Sequence, residues 1–145
     1  MIQAIRGLQW LSRLVGACEL TLGLVIWFVG VSSVSLHILL GSVMALILLI
    51  VGAIALPVKE TRSLGAIGIL YAFILTGFGM VQMGLLIGPL HWLVQVLHLL
   101  IGVGSIAVVH LIGARYLKLK KVSRPAPLES ADIPQSTPVA ASDEA

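Results

Sequence analysis

Apolar residues fill four long runs, near 8–29, 33–56, 64–87 and 90–117, and polar or turn-forming residues are confined to the seams between them. A helix needs about 20 residues to cross the roughly 30 Å hydrocarbon layer of a bilayer, and each run supplies at least that many. The pattern predicts four transmembrane helices and no strands, an all-α four-helix bundle occupying residues 1–117. Composition strengthens this reading: hydrophobic residues make up 59% of the chain and charged residues 10%, against about 25% charged in soluble domains. The mean hydropathy is +1.10.

The few charges orient the spans. Arg6 and Arg13 lie at the start of the first run, Lys59 and Arg62 separate the second from the third, and Arg115, Lys118, Lys120, Lys121 and Arg124 follow the fourth. The connections "GVSSVS" and "GPL" carry no charge. All the basic residues therefore fall on one side, which the positive-inside rule makes cytoplasmic. Both termini are expected inside a bacterial-type inner membrane, with two short outer loops.

Beyond position 117 the composition turns basic and then rich in Pro, Ser, Ala and acids. Residues 118–145 are expected to form a disordered cytoplasmic tail, whose Lys118, Lys120, Lys121 and Arg124 suit anionic headgroups. "LVGAC" at 14–18 loosely resembles a lipoprotein cleavage box, but Arg13 interrupts it and an apolar run follows it. Cys18 reads instead as a small buried residue.

Sliding the chain against itself by 61 positions pairs Gly7 with Gly68, Gly16 with Gly77, Gly23 with Gly84, Gly41 with Gly102 and Gly52 with Gly113. It also pairs His37 with His98, each followed four residues later by glycine in "LHILLG" and "LHLLIG". The chain reads as two copies of a helical hairpin, near 7–56 and 68–117. Each copy holds an even number of spans, so the copies enter the membrane in the same sense and form a parallel repeat. That symmetry places His37 and His98 at one depth, near the outer ends of the second and fourth helices.

Four residues turn a helix about 40° past a full circle, so Gly41 lies below His37 and Gly102 below His98 on nearly the same face. Gly16 and Gly23, like Gly77 and Gly84, are seven apart and also share a face. Bare backbone admits a neighbouring helix or a flat ligand. Bundle interiors are where facing helices build cofactor sites, and a porphyrin iron accepts two axial imidazoles. At these residues the chain resembles the membrane-embedded four-helix b-type cytochromes, in which histidines on different helices hold haem between them. The resemblance covers the four spans. It implies His37 and His98 as axial ligands of haem b, with Gly23, Gly41, Gly84 and Gly102 as clearance for the ring. It further implies electron transfer, with a quinone or a partner membrane subunit at the other end. Members of that class often carry two haems, but His91 and His110 align with Gly30 and Leu49, so a second symmetric ligand pair is absent. Bacteriochlorophyll is a variant, because its magnesium also takes imidazole.

His91, Gln95 and His98 form a polar stripe on the fourth helix, suited to a haem propionate, a proton path or a quinone head, or to a wet helix end anchored by Trp92. Glu19, the one acid inside a span, falls between Gly16 and Gly23. Counted from the inner ends it comes level with His110, so a Glu19–His110 contact and proton relay are an alternative to a purely register-fixing carboxyl. The chain shows no Cys pair, His-Glu-x-x-His pattern, phosphate-binding glycine loop or serine-nucleophile arrangement. Its basic segment lacks the aromatic interleaving of a nucleic-acid site. The favoured function class is an electron carrier; a cofactor-free structural or assembly subunit of a membrane complex competes with it, and a small transporter is a third class, for which only Glu19 and His110 could mark a polar path through the inner half.

Overall fold

A computed structural model describes residues 1–30 and 32–122, and the tail expected beyond lies outside the described residues from 123 onward. Four helices follow one another: α1 Ile2–Val29, α2 Val34–Ala55, α3 Arg62–Val81 and α4 His91–Val122, with a 3-10 turn, Gln82–Gly84, extending α3. Among the described residues there is no strand. All four helices are long and apolar enough to cross a membrane. Their outward faces carry large apolar side chains such as Ile38 (62% exposed), Phe73 (67%) and Leu100 (62%), the arrangement of a bundle whose solvent is hydrocarbon.

Local chemistry explains the helix ends. Gly30 closes α1 in the left-handed conformation (φ 73°), its N–H donating to the Ile26 carbonyl at 3.1 Å, a geometry that glycine adopts without a Cβ clash. After α2, Pro57 cannot continue the helix. The turn there is sewn shut by Thr61, which is fully buried and donates through Oγ1 to the carbonyls of Ala55 (2.9 Å) and Val58 (3.4 Å). Arg62 Nε donates to Leu56 O at 3.3 Å. Two boundaries differ from the sequence expectation. α4 continues through Val122, five residues past 117, because Lys118, Lys120 and Lys121 form helix well and complement its C-terminal dipole. α3 stops at Val81, and the chain then passes through Leu86 (φ 45°) and Gly88 (φ 108°) before α4 begins.

The tightest packing joins α2 to α3. A Cβ on Gly52 would stand 2.8 Å from the Gly65 carbonyl oxygen, and one on Gly65 would stand 2.7 Å from that of Gly52. The two backbones thus touch, the mode of association available where lipid removes the hydrophobic drive between helices. At the same level Gly68 receives Ile112 from α4 and Gly113 receives Gln9 from α1. Around this contact lie the fully buried Leu48, Val51, Val109, Ile112 and Tyr116. Gln9 Nε2 also donates to His110 O at 3.3 Å, so the start of α1 runs beside the end of α4. Both ends of the bundle and the α2–α3 turn therefore share one pole, which holds every described Lys and Arg.

The glycine pairs brought together by the 61-residue shift do not share surroundings. Gly16 is filled by Ile106 whereas nothing lies within 4 Å of a Cβ on Gly77; Gly68 meets Ile112 whereas Gly7 is open; Gly52 meets backbone whereas Gly113 meets a side chain. Cys18, expected buried, is exposed on α1. The α2–α3 glycine contact has a direct consequence. Gly65→Val should lower stability by about 1–3 kcal/mol, since a branched side chain there must push α2 and α3 away from each other. Gly77→Ala, at an open position, should stay within about 0.5 kcal/mol in the same detergent-unfolding measurement.

Candidate functional site

The packed core occupies the charged pole; Val94 apart, its buried apolar side chains lie between that pole and the level of Met44 and Leu75. Toward the opposite pole the helices diverge around a cavity of about 240 Å³. α1 and α4 form most of its walls, and His37 of α2 and His98 of α4 both border it. From Gly16 to Trp27 on α1 it spans eleven residues, about 16 Å at 1.5 Å per residue.

The two imidazoles face each other across the bundle diagonal. Their ring centroids are 5.8 Å apart with planes inclined by 61°. Behind His98, Phe78 of α3 stacks on its ring at 6.0 Å and 18°. Nδ1 of His37 and Nδ1 of His98 are buried and have no hydrogen-bond partner. The Glu19 backbone comes close to the His37 ring from α1, but it leaves that Nδ1 unpaired, so both histidines present the same nitrogen without a partner. An unpaired buried polar atom costs about 1–3 kcal/mol, and this chain carries two of them side by side.

Each glycine assigned as ring clearance has its own role. Gly23 makes room for His37 itself: a Cβ there would lie 3.3 Å from His37 Cε1. Gly41 is covered by the Glu19 carboxyl, whose Oε1 would be 2.9 Å from its Cβ, so it clears space for an acid rather than for a flat ring. Gly84 falls in the 3-10 turn with nothing within 4 Å, because α3 has already ended, and it does not border the cavity. On Gly79, five residues earlier, an added Cβ would lie 3.9 Å from His98 Cε1. Gly102 remains open and lines the cavity beneath His98.

Glu19 also lines the cavity, on the same face of α1 as Gly16 and Gly23. His110 does not join it. Arg13 Nε donates to His110 Nε2 at 2.9 Å, and Gln9 holds the His110 carbonyl. These bonds latch α1 to α4 near the charged pole and replace the Glu19–His110 contact. His91 and Gln95 both reach the cavity, near its other end; His91 Nδ1 lies 3.1 Å from Leu85 O and fastens the 85–90 connection. Gln82 and Met83, which the sequence pattern had placed inside a regular span, border the cavity from the 3-10 turn, with Met83 still 72% exposed. Tyr71, which the 61-residue shift sets against Trp10, carries no motif that marks it in the sequence. It donates from Oη to Ile101 O at 3.0 Å and packs over Gly104, fixing α4 against α3 just below the histidines.

Among the described residues no group of three or more His, Cys, Asp or Glu side chains is placed to hold a metal ion. No protein-family model, curated protein or solved structure matches this chain. The geometry must therefore speak for itself. Because Nδ1 is unpaired in both rings, His37→Phe and His98→Phe should each raise the melting temperature of the cofactor-free protein, a gain of about 1 kcal/mol or more per site. A fall of that size, seen by thermal unfolding in detergent, would show that the imidazoles are already satisfied.

Proposed function

We propose that this chain is a multi-pass membrane protein, similar to the b-type cytochromes, that holds one haem between His37 and His98 and carries single electrons. The observation that supports it is the pair of half-buried imidazoles, 5.8 Å apart between centroids, each with an unpaired ring nitrogen. Imidazole is an established ligand of haem iron, and His37 and His98 are the residues that would hold it. Among the described residues no third His, Cys, Asp or Glu joins His37 and His98 in a group that could hold a metal ion. Two are too few for a bare ion but sufficient for a tetrapyrrole, whose macrocycle supplies the other nitrogens. The elongated cavity beside the rings and the open backbone at Gly102 suit a flat ligand, as does the position of His98 against Phe78.

When bound, haem supplies reversible one-electron chemistry. The protein's task is to hold and surround it. Tyr71, through Ile101 O, and the Gly23 contact with His37 fix the helices that carry the two ligands. The apolar walls, Leu20, Leu24 and Leu99 among them, keep water from the ring nitrogens. A magnesium tetrapyrrole such as bacteriochlorophyll fits less well, since two facing imidazoles are more than a single axial position needs. A cofactor-free structural subunit leaves two buried Nδ1 atoms uncompensated.

By the positive-inside rule the basic pole faces the cytoplasm, which sets both termini inside and the histidine pair toward the outer leaflet of an inner membrane. Electrons would pass to or from a quinone or a partner membrane subunit. Protein purified in mild detergent from haem-supplied cells should show a Soret band and a reduced-minus-oxidised α band, and His37→Ala or His98→Ala should each abolish both. A colourless wild-type protein that takes up no added haem would overturn the proposal.

A further inference from the structure

The cavity is chemically lopsided. Its inner end, around Gly16, Leu20, Leu99 and Ile106, is apolar apart from the Glu19 carboxyl. Its outer end collects Gln82 from the 3-10 turn and His91 and Gln95 from the first turns of α4. None of the three is fully buried. Among the described residues the carboxamides of Gln82 and Gln95 make no hydrogen bond, and His91 uses one ring nitrogen, Nδ1, on Leu85 O. Two carboxamides without a partner and the second nitrogen of His91 thus border one end of the cavity.

Resting on the haem reading, we infer that Gln82, His91 and Gln95 form a carboxylate-recognising mouth, so that the tetrapyrrole enters with its propionates toward the 85–90 connection and its apolar edge toward Gly16 and Ile106. The sign of the charges requires this direction. Glu19 at the inner end repels a second carboxylate when ionised and offers no counter-charge when protonated. The outer end has amide donors, a histidine that donates from both nitrogens in its charged form, and the positive end of the α4 dipole. No described Lys or Arg lies at this pole to neutralise a buried dianion. The carboxylates must then sit where water also reaches them, and the exposed 85–90 connection provides that access. Entry in the opposite sense would bury both propionates beside Glu19 and leave the donors of the mouth facing vinyl and methyl groups.

The experiment is a pair of spectrophotometric titrations of the cofactor-free, full-length protein in detergent, one with haem and one with haem dimethyl ester, which keeps the iron and the ring but lacks both carboxylates. Wild-type protein is expected to bind haem about ten- to a hundredfold more tightly than the ester, the range for hydrogen bonds to a charged group. The His91→Leu/Gln95→Leu variant is expected to lose that preference by weakening for haem alone, with the ester bound as in wild type and with the same low-spin bands. The ester titration doubles as the check that the variant is folded, and Gln82→Leu alone should give a smaller loss in the same sense. Equal affinity of wild-type protein for the two compounds, or an equal loss of both in the variant, would overturn the orientation while leaving the His37–His98 site standing. Failure of wild-type protein to bind either compound would remove the haem reading and this inference with it.

Discussion

Two imidazoles brought within 5.8 Å of each other in an apolar bundle, each with a buried and unpaired Nδ1, set the terms for everything else in this molecule. Such an arrangement is unfavourable by itself, because each nitrogen has given up water without gaining a partner. It persists only if the rest of the bundle holds the two helices firmly enough that the rings cannot turn away. Gly23 lets α1 pack against the His37 ring, and the Tyr71 bond to Ile101 ties α4 to α3 beside His98. On the proposed reading, a cofactor would complete what the protein leaves open at these two rings.

The division of the bundle into two halves follows from the same requirement. At the charged pole, backbones touch at Gly52 and Gly65, and the side chains of Leu48, Val109, Ile112 and Tyr116 leave almost no exposed surface. Arg13 and Gln9 add polar ties from α1 to α4 at His110. That half is rigid, and it frees the other half to open. α3 gives way to a 3-10 segment at Gln82–Gly84, and Gln82 and Met83 border the cavity there together with α1, α4 and the two histidines.

Much of this was legible in the sequence because it depends on runs and counts. Four apolar stretches, the one-sided placement of Lys and Arg, and the "LHILLG" and "LHLLIG" echo give the helices, the common pole of the ends and the facing of His37 and His98. What could not be read depends on how helices rotate against one another. The composition near Gly84 suits a membrane helix as well as a turn, so the early end of α3, and with it the absence of Gly84 from the cavity wall, had only the later Gly88 and Pro89 as a hint. Depth counting set Glu19 level with His110, yet Glu19 turns toward Gly41 and His110 toward Arg13, a choice fixed by helix rotation. Gly41 kept its position and changed its neighbour for the same reason.

If the two rings act together on one iron, the spin state of that iron records it. Low-temperature electron paramagnetic resonance of the oxidised, haem-loaded wild-type protein should show a low-spin ferric signal from an iron with nitrogen on both axial sides. A spectrum that is entirely high-spin, as a five-coordinate iron with a single imidazole gives, would contradict the account and leave one of the two histidines without a role.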